Sequence, residues 1–202
     1  MNDTRSSHRD FLNKYYGLSR GIYDVTRKYY LFGRDTALRQ LASERWTRLV
    51  EVGPGTGRNL IKLRSMRPDG IYGGIEASDA MLEHARPKAP WARLVHGFAE
   101  DCDYRAVMGD APDRILFSYC ISMVQGPDAA LDNARRSLAP GGSIIIVDFG
   151  DLSGVSQPFR GALQRWLATF HVQPVDEDLL RRHNATITYG PGRYFVIARI
   201  AA

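Results

Sequence analysis

The feature that most constrains this chain is the run EVGPGTGRNL at positions 51–60. It follows the short apolar segment WTRLVEV and precedes residues with helical patterning, so it reads as a turn from strand to helix. Glycines at 53, 55 and 57 let the backbone turn sharply and approach a ligand closely. The helix behind them offers N–H groups that have no partner within the helix. In an open α/β sheet this turn lies at the carboxyl ends of the strands, where ligands bind. Two common ligands fit poorly. A dinucleotide fingerprint needs a glycine where this motif has Arg58, because helix and strand must pack closely there. The nucleoside-triphosphate loop needs Gly-Lys-Ser or Gly-Lys-Thr, and neither follows.

The rest of the chain extends this grammar. Residues 11–43 read as two helices broken by Gly17, Gly21 and Gly33. Beyond Trp46, helices at 59–66, 78–86 and 127–138 alternate with strands at 71–75, 92–96, 113–118 and 143–148. Such alternation builds parallel βαβ units with helices on both sheet faces. An aromatic helix is expected over 158–171. The run ATITYGPGRYFVIARI then reads as two strands around a Gly-Pro-Gly turn, which must be antiparallel. The expectation is one domain over 1–202, with an N-terminal helical cap (1–45) and an α/β core (46–202) whose mostly parallel sheet ends in an antiparallel hairpin.

The glycine motif resembles that of the class I methyltransferases, which bind S-adenosyl-L-methionine and release S-adenosyl-L-homocysteine. The resemblance implies a Rossmann-like, doubly wound sheet and a set of cofactor contacts. Glu51, Gly53, Pro54, Gly55, Thr56, Gly57 and Asn59 form the loop. Glu76 ends the next strand, where a carboxylate can accept hydrogen bonds from both ribose hydroxyls; Ala77 and Met81 follow it. Phe98, Ala99 and Glu100 lie after the third strand. The family's usual acidic residue there is replaced by Phe98, so Phe98 is expected on the adenine face, with Glu100 or a backbone group making the polar contact. Ser118 and Tyr119 end the fourth strand and face the active site.

Residues 15–35, YYGLSRGIYDVTRKYYLFGRD, with GPGTGRNL, FSYCISM and IIIVDFG, resemble the bacterial betaine-lipid N-methyltransferases. That resemblance implies sequential in-line transfers converting diacylglyceryl-homoserine to diacylglyceryl-trimethylhomoserine. Five of the ten tyrosines fall within residues 15–30, and tyrosine faces attract ammonium groups by cation–π interaction. Tyr23 and Tyr30, seven apart on a common helix face, and Tyr119 across the pocket are the candidate catalytic residues, with Tyr23 also beside the cofactor. Tyr16, Arg27, Tyr30, Tyr119 and Arg160 are the candidate substrate contacts, Arg27 for a carboxylate. His171 is a weaker candidate proton acceptor. Other small-molecule acceptors, phosphatidylethanolamine or a quinone precursor, stay open. So does a nucleic-acid- or cofactor-binding protein without catalysis.

Charge bears on the partner. Residues 1–50 carry ten Lys or Arg against five Asp or Glu, whereas residues 51–202 carry 17 of each. A basic, aromatic arm suits an anionic membrane surface, with Leu31 and Phe32 dipping in. No recognition motif for nucleic acid accompanies it, and none is expected as a partner. No apolar run approaches the roughly 20 residues of a membrane span, and no apolar leader precedes the fold. Cys102 and Cys120 lack metal-like spacing, so no metal is expected and both read as free thiols in a cytoplasmic protein. Taken together these features place the chain in the cytoplasm, peripherally on the inner membrane face, with a lipid substrate. They leave its oligomeric state open.

Overall fold

The computed structural model describes residues 31–168 and 173–202. Tyr16, Tyr23, Arg27, Tyr30 and His171 lie outside the described residues. Seven strands form one sheet: β1 (Arg48–Val52), β2 (Ile71–Glu76), β3 (Arg93–His96), β4 (Arg114–Ser118), β5 (Ser143–Phe149), β6 (Thr186–Tyr189) and β7 (Phe195–Ala201). Their order is β3-β2-β1-β4-β5-β7-β6. The first five are parallel, and β7 runs antiparallel between β5 and β6. The doubly wound sheet with a closing antiparallel hairpin is therefore present. The strand order reverses beside β1, which pairs with both β2 and β4. That reversal opens a crevice at the strands' carboxyl ends, directly at the glycine turn.

Helices cover both faces. α1 (Arg34–Ser43), α2 (Arg58–Met66) and α6 (Phe159–Ala168) contribute to one apolar cluster with Leu49, Leu116, Ile145 and Val147. α4 (Tyr104–Met108), α5 (Pro127–Ser137) and α7 (Glu177–Arg182) contribute to the other, with Val50, Ile115, Phe117 and Ile146. α3 (Asp79–Ala85) joins β2 to β3. Every residue of β5 is buried, as expected for a strand sandwiched between two helical layers. Adjacent strand residues belong to opposite clusters, Ile144 and Ile146 to one and Ile145 and Val147 to the other, which is the two-residue period of a strand.

Two helices were not apparent in the sequence. α4 and α7 begin at Asp103 and Asp176, whose side chains accept from Ala106 and Asp178 backbone N–H groups. The expected membrane contact of Leu31 is corrected here: Leu31 is buried in the α1–α2–α6 cluster, because the apolar face of the sheet claims it. Phe32 is exposed and packs edge-on against Tyr194 at 5.2 Å.

Candidate active site

The glycine turn owes its shape to three left-handed residues: Gly53, Gly55 and Gly57 have φ of 64°, 55° and 81°. At Gly53 a β-carbon would also stand 3.1 Å from that of Cys120. The turn is braced from both sides. Glu76 at the end of β2 accepts the Gly55 N–H at 3.0 Å through one oxygen and the Ser78 N–H at 2.9 Å through the other. Pro54 lies over Gly74, where any side chain would collide with its ring.

Beside this turn opens a cavity lined by Val52, Gly53, Ile75, Glu76, Ala77, Gly97, Phe98, Ala99, Glu100, Ser118, Tyr119, Cys120, Met123, Val124 and Gln125. Of the residues singled out from the sequence, Gly53, Glu76, Ala77, Phe98, Ala99, Glu100, Ser118 and Tyr119 meet on its wall. Pro54, Gly55, Thr56 and Gly57 form the turn behind Gly53, and Glu51 and Asn59 pair beneath it, Asn59 Nδ2 donating to Glu51 Oε1 at 2.6 Å. Met81 is buried in α3, its N–H directed to the Ser78 hydroxyl that caps the helix. Glu100 has one oxygen engaged by the Gly126 N–H at 3.2 Å, which fixes the carboxylate at the cavity edge. Phe98 stands edge-on to His96 with ring centres 5.9 Å apart. Arg160 lies apart from the cavity wall; its guanidinium donates to the Val155 carbonyl at 3.1 Å and to that of Ser153.

The electrostatics concentrate at the carboxyl ends of β1 and β2. Glu51 is 1% exposed, and burial pushes its carboxyl up to about 8 despite the Asn59 hydrogen bond and the Arg34 charge, which oppose the shift. Burial likewise raises Glu76, against the N–H groups of Ser78 and Gly55 that favour its ionised form. Glu51 Oε2, Asn59 Oδ1, Ser118 Oγ and Arg34 Nε are buried without a hydrogen-bond partner among the described residues. Unsatisfied buried polar groups are costly, so several at one place mark where a polar ligand docks. The chemistry matches S-adenosyl-L-methionine: an acid that can accept two ribose hydroxyls, an aromatic face for adenine, and unpartnered acidic and basic groups for an amino-acid end. Among the described residues no group of three metal-ligating side chains occurs.

Tyr119, on the cavity wall, keeps φ at 54°, a conformation that costs a non-glycine residue about 1–2 kcal/mol. Its hydroxyl donates to the Phe32 carbonyl, and its ring meets Phe149 at 4.6 Å; Phe149 in turn meets Tyr194 at 6.0 Å. Burial, with Asp148 and Tyr194 adding to it, raises the Tyr119 hydroxyl well above the usual phenol range, so it acts as a neutral donor. The sequence reading did not pick out Phe149, Tyr194 or Arg34 for the site. Phe149 and Tyr194 reach Tyr119 through strand pairing and ring packing, which no local motif announces.

Comparison with known proteins gives a consistent picture. Residues 23–186 match the family described as a methyltransferase domain. The ubiquinone/menaquinone biosynthesis C-methyltransferase UbiE of Syntrophotalea carbinolica is 26% identical over 158 residues, 75% of this chain and 65% of that enzyme. The chain thus spans less than two-thirds of that relative's length. A SAM-dependent methyltransferase from Thermotoga maritima superposes with a TM-score of 0.66 at 20% identity, covering 93% of this chain and 98% of the other. SAM-bound CalS10, an amino pentose methyltransferase from Micromonospora echinaspora, gives 0.50 at 25% identity over 62% of this chain and 55% of its own.

Proposed function

The chain belongs to the methyltransferase-domain family and uses S-adenosyl-L-methionine, and from that premise we propose that its acceptor is a small amphiphilic molecule of quinone type, methylated on the ring. The observation that carries this reading is the aromatic cluster of Tyr119, Phe149 and Tyr194, of which Tyr119 lies on the wall of the cavity. An aromatic ring on the cavity wall suits packing against a planar aromatic acceptor. The likeness to UbiE, a quinone C-methyltransferase, supports it further.

The bound cofactor supplies an electrophilic sulfonium methyl; the chain supplies position, dryness and proton handling. Tyr119, on the cavity wall, holds the Phe32 carbonyl by its hydroxyl, and this reading assigns to that contact the exclusion of water and the alignment of the acceptor. Ring methylation must release a proton from the ring. Asp148, buried at the end of β5 and within electrostatic reach of Tyr119, is the carboxylate this reading assigns to it.

A second reading is N-methylation of diacylglyceryl-homoserine at a membrane. The tyrosine-rich segment at 15–30 favours it, since a growing ammonium gains from aromatic faces, and a final transfer to a tertiary amine needs no base. One assay separates the two. The full chain is given S-adenosyl-L-methionine and, in parallel, a reduced menaquinone precursor lacking the ring methyl or vesicles containing diacylglyceryl-homoserine, with phosphatidylethanolamine vesicles as a third arm. A ring-methylated product by mass spectrometry is the expected result. Methylated headgroup in the lipid arms alone would overturn the quinone reading in favour of the second.

A further inference from the structure

We propose that Arg193 is a positioning residue for methyl transfer: its guanidinium clasps the loop after β5 to the closing hairpin and so sets the rings of Phe149 and Tyr194 beside Tyr119. This rests on the proposed packing of the acceptor against Tyr119.

Loop and hairpin meet beyond the end of a strand ladder. The β5–β7 pairing ends at Phe149 and Phe195. Past it, the Gly150 N–H donates to the Tyr194 carbonyl at 2.9 Å and the Leu152 N–H to the Arg193 carbonyl at 3.2 Å. A β-carbon at Gly150 would collide with the Arg193 carbonyl oxygen. Leu152 and Arg193 both take left-handed backbone, with φ of 59° and 53°. A residue with a side chain resists that conformation, which persists where surrounding contacts over-determine it. Tyr119, at 54°, is a third such residue. Three strained positions therefore lie on the segments that meet at one ring cluster. The Phe149 carbonyl is held as well, by the Val175 N–H at 2.9 Å just ahead of α7.

The Arg193 side chain joins three segments at once. Its Nε donates to Asp151 Oδ1, in the loop after β5, at 2.9 Å, and its Nη2 to Glu177 Oε1, on α7, at 2.5 Å. The guanidinium stands 3.8 Å over the Tyr189 ring of β6, whose hydroxyl donates to the other Glu177 oxygen at 2.9 Å. Asp151 Oδ1 also accepts the Ser153 N–H at 2.8 Å, which shapes the loop locally. A planar fork can reach two carboxylates while it stacks on a ring, and an ammonium cannot. The Arg193 and Asp151 side chains are 31% and 45% exposed, and ion pairs this open contribute little to stability. What the clasp fixes is geometry. Phe149 and Tyr194 directly adjoin Gly150 and Arg193, and the Phe149 ring lies 4.6 Å from that of Tyr119 and 6.0 Å from that of Tyr194. A slip between loop and hairpin moves these rings, and a misplacement of about 1 Å is enough to slow a positioned reaction.

Initial-rate kinetics on the full chain test the clasp, with S-adenosyl-L-methionine and the reduced menaquinone precursor lacking the ring methyl. Arg193→Gln is expected to lower kcat/KM for that acceptor by about 10–100-fold. S-Adenosyl-L-homocysteine affinity, read by calorimetry, should stay at the wild-type level, and the melting temperature should fall by no more than a few degrees. Asp151→Asn should act in the same direction. The double variant should be no slower than Arg193→Gln alone, because the two residues form one contact. Arg193→Lys should recover part of the loss. Unchanged kcat/KM would overturn the proposal. An equal loss of S-adenosyl-L-homocysteine affinity would overturn it too, as a general disturbance, and so would additive effects of the two changes. Should Arg193→Gln fail to fold, Asp151→Asn, which keeps an oxygen for the Ser153 N–H, carries the same contrast. Wild-type protein that leaves the precursor unmethylated would refute the acceptor reading and leave the clasp to aromatic carbon–proton NMR. Shifted Tyr119, Phe149 and Tyr194 ring signals in Arg193→Gln would then support it, and unchanged signals would overturn it.

Discussion

At the scale of single residues, the site depends on charges kept in unusual states. A carboxyl at about 8 is largely protonated at neutral pH, and Glu51 thus costs the free protein least when neutral. The sign follows from linkage. Its folded value lies above the ordinary one of 4.5, so its contribution is fully present below the ordinary value and is lost as pH rises through about 8. Free wild-type protein should therefore lose melting temperature between pH 6 and 8.5, by a few degrees on the order expected for about 1 kcal/mol. Glu51→Gln should flatten that slope, and differential scanning calorimetry across the range checks it. The same substitution should weaken S-adenosyl-L-homocysteine about tenfold or more, since a charge-assisted contact is removed. Cofactor binding to the wild type should also release a proton, because the ligand's ammonium favours the ionised carboxyl. Calorimetry in buffers of different ionisation enthalpy reads that release, which Glu51→Gln should abolish.

At the scale of elements, the interesting joint is the entry to α1. Gly33 has a left-handed φ and the Phe195 ring fills the space a β-carbon would need. Gly33→Ala should cost about 1–2 kcal/mol for backbone strain alone, with the collision adding to it. The expected result is a lower urea midpoint. A second joint ties the Ala99 wall of the cavity to α5: Asn133 Nδ2 donates to the Ala99 and Cys102 carbonyls at 3.0 and 2.9 Å. Asn133→Ala should destabilise by about 1–3 kcal/mol by leaving two carbonyls unsatisfied, measurable in the same urea titration. These joints also explain what could be read beforehand. The glycine turn, Glu76 and the βαβ alternation were legible because each is a local pattern that the backbone enforces within a few residues. The closing hairpin was legible because Gly-Pro-Gly between two β-branched runs admits little else. α4 and α7 escaped because each spans under two turns, five and six residues, too short for a periodic signal. Only their Asp caps at 103 and 176 carried a hint.

At the scale of the whole molecule, the question is how an amphiphilic acceptor would reach the cavity. Among the described residues no helix is long and apolar enough to cross a membrane. Three exposed aromatics, however, belong to segments at one end of the fold. Phe32 packs on Tyr194. Phe159 and Trp166 are 71% and 45% exposed on α6, whose Arg160 is bonded to the Ser153–Val155 loop, and Leu152 beside that loop bonds the Arg193 carbonyl next to Tyr194. These bonds tie α6 and the Phe32–Tyr194 pair to the loops beside the carboxyl end of β5, which ends at Phe149 against Tyr119, where the acceptor is proposed to sit. Exposed Phe and Trp beside an active site insert readily into a lipid interface, and the basic excess of residues 1–50 would add attraction to anionic headgroups. If the acceptor is drawn from a membrane, the full chain should sediment with anionic vesicles and be released as salt rises past a few hundred millimolar, where the Debye length falls toward roughly 5 Å or less. Phe159→Ser combined with Trp166→Ser should reduce the bound fraction several-fold. Both side chains are exposed and outside the cofactor cavity, so S-adenosyl-L-homocysteine affinity should stay at the wild-type level. Equal sedimentation of variant and wild type would show that this end of the molecule does not meet the bilayer, and the acceptor would then have to arrive through water.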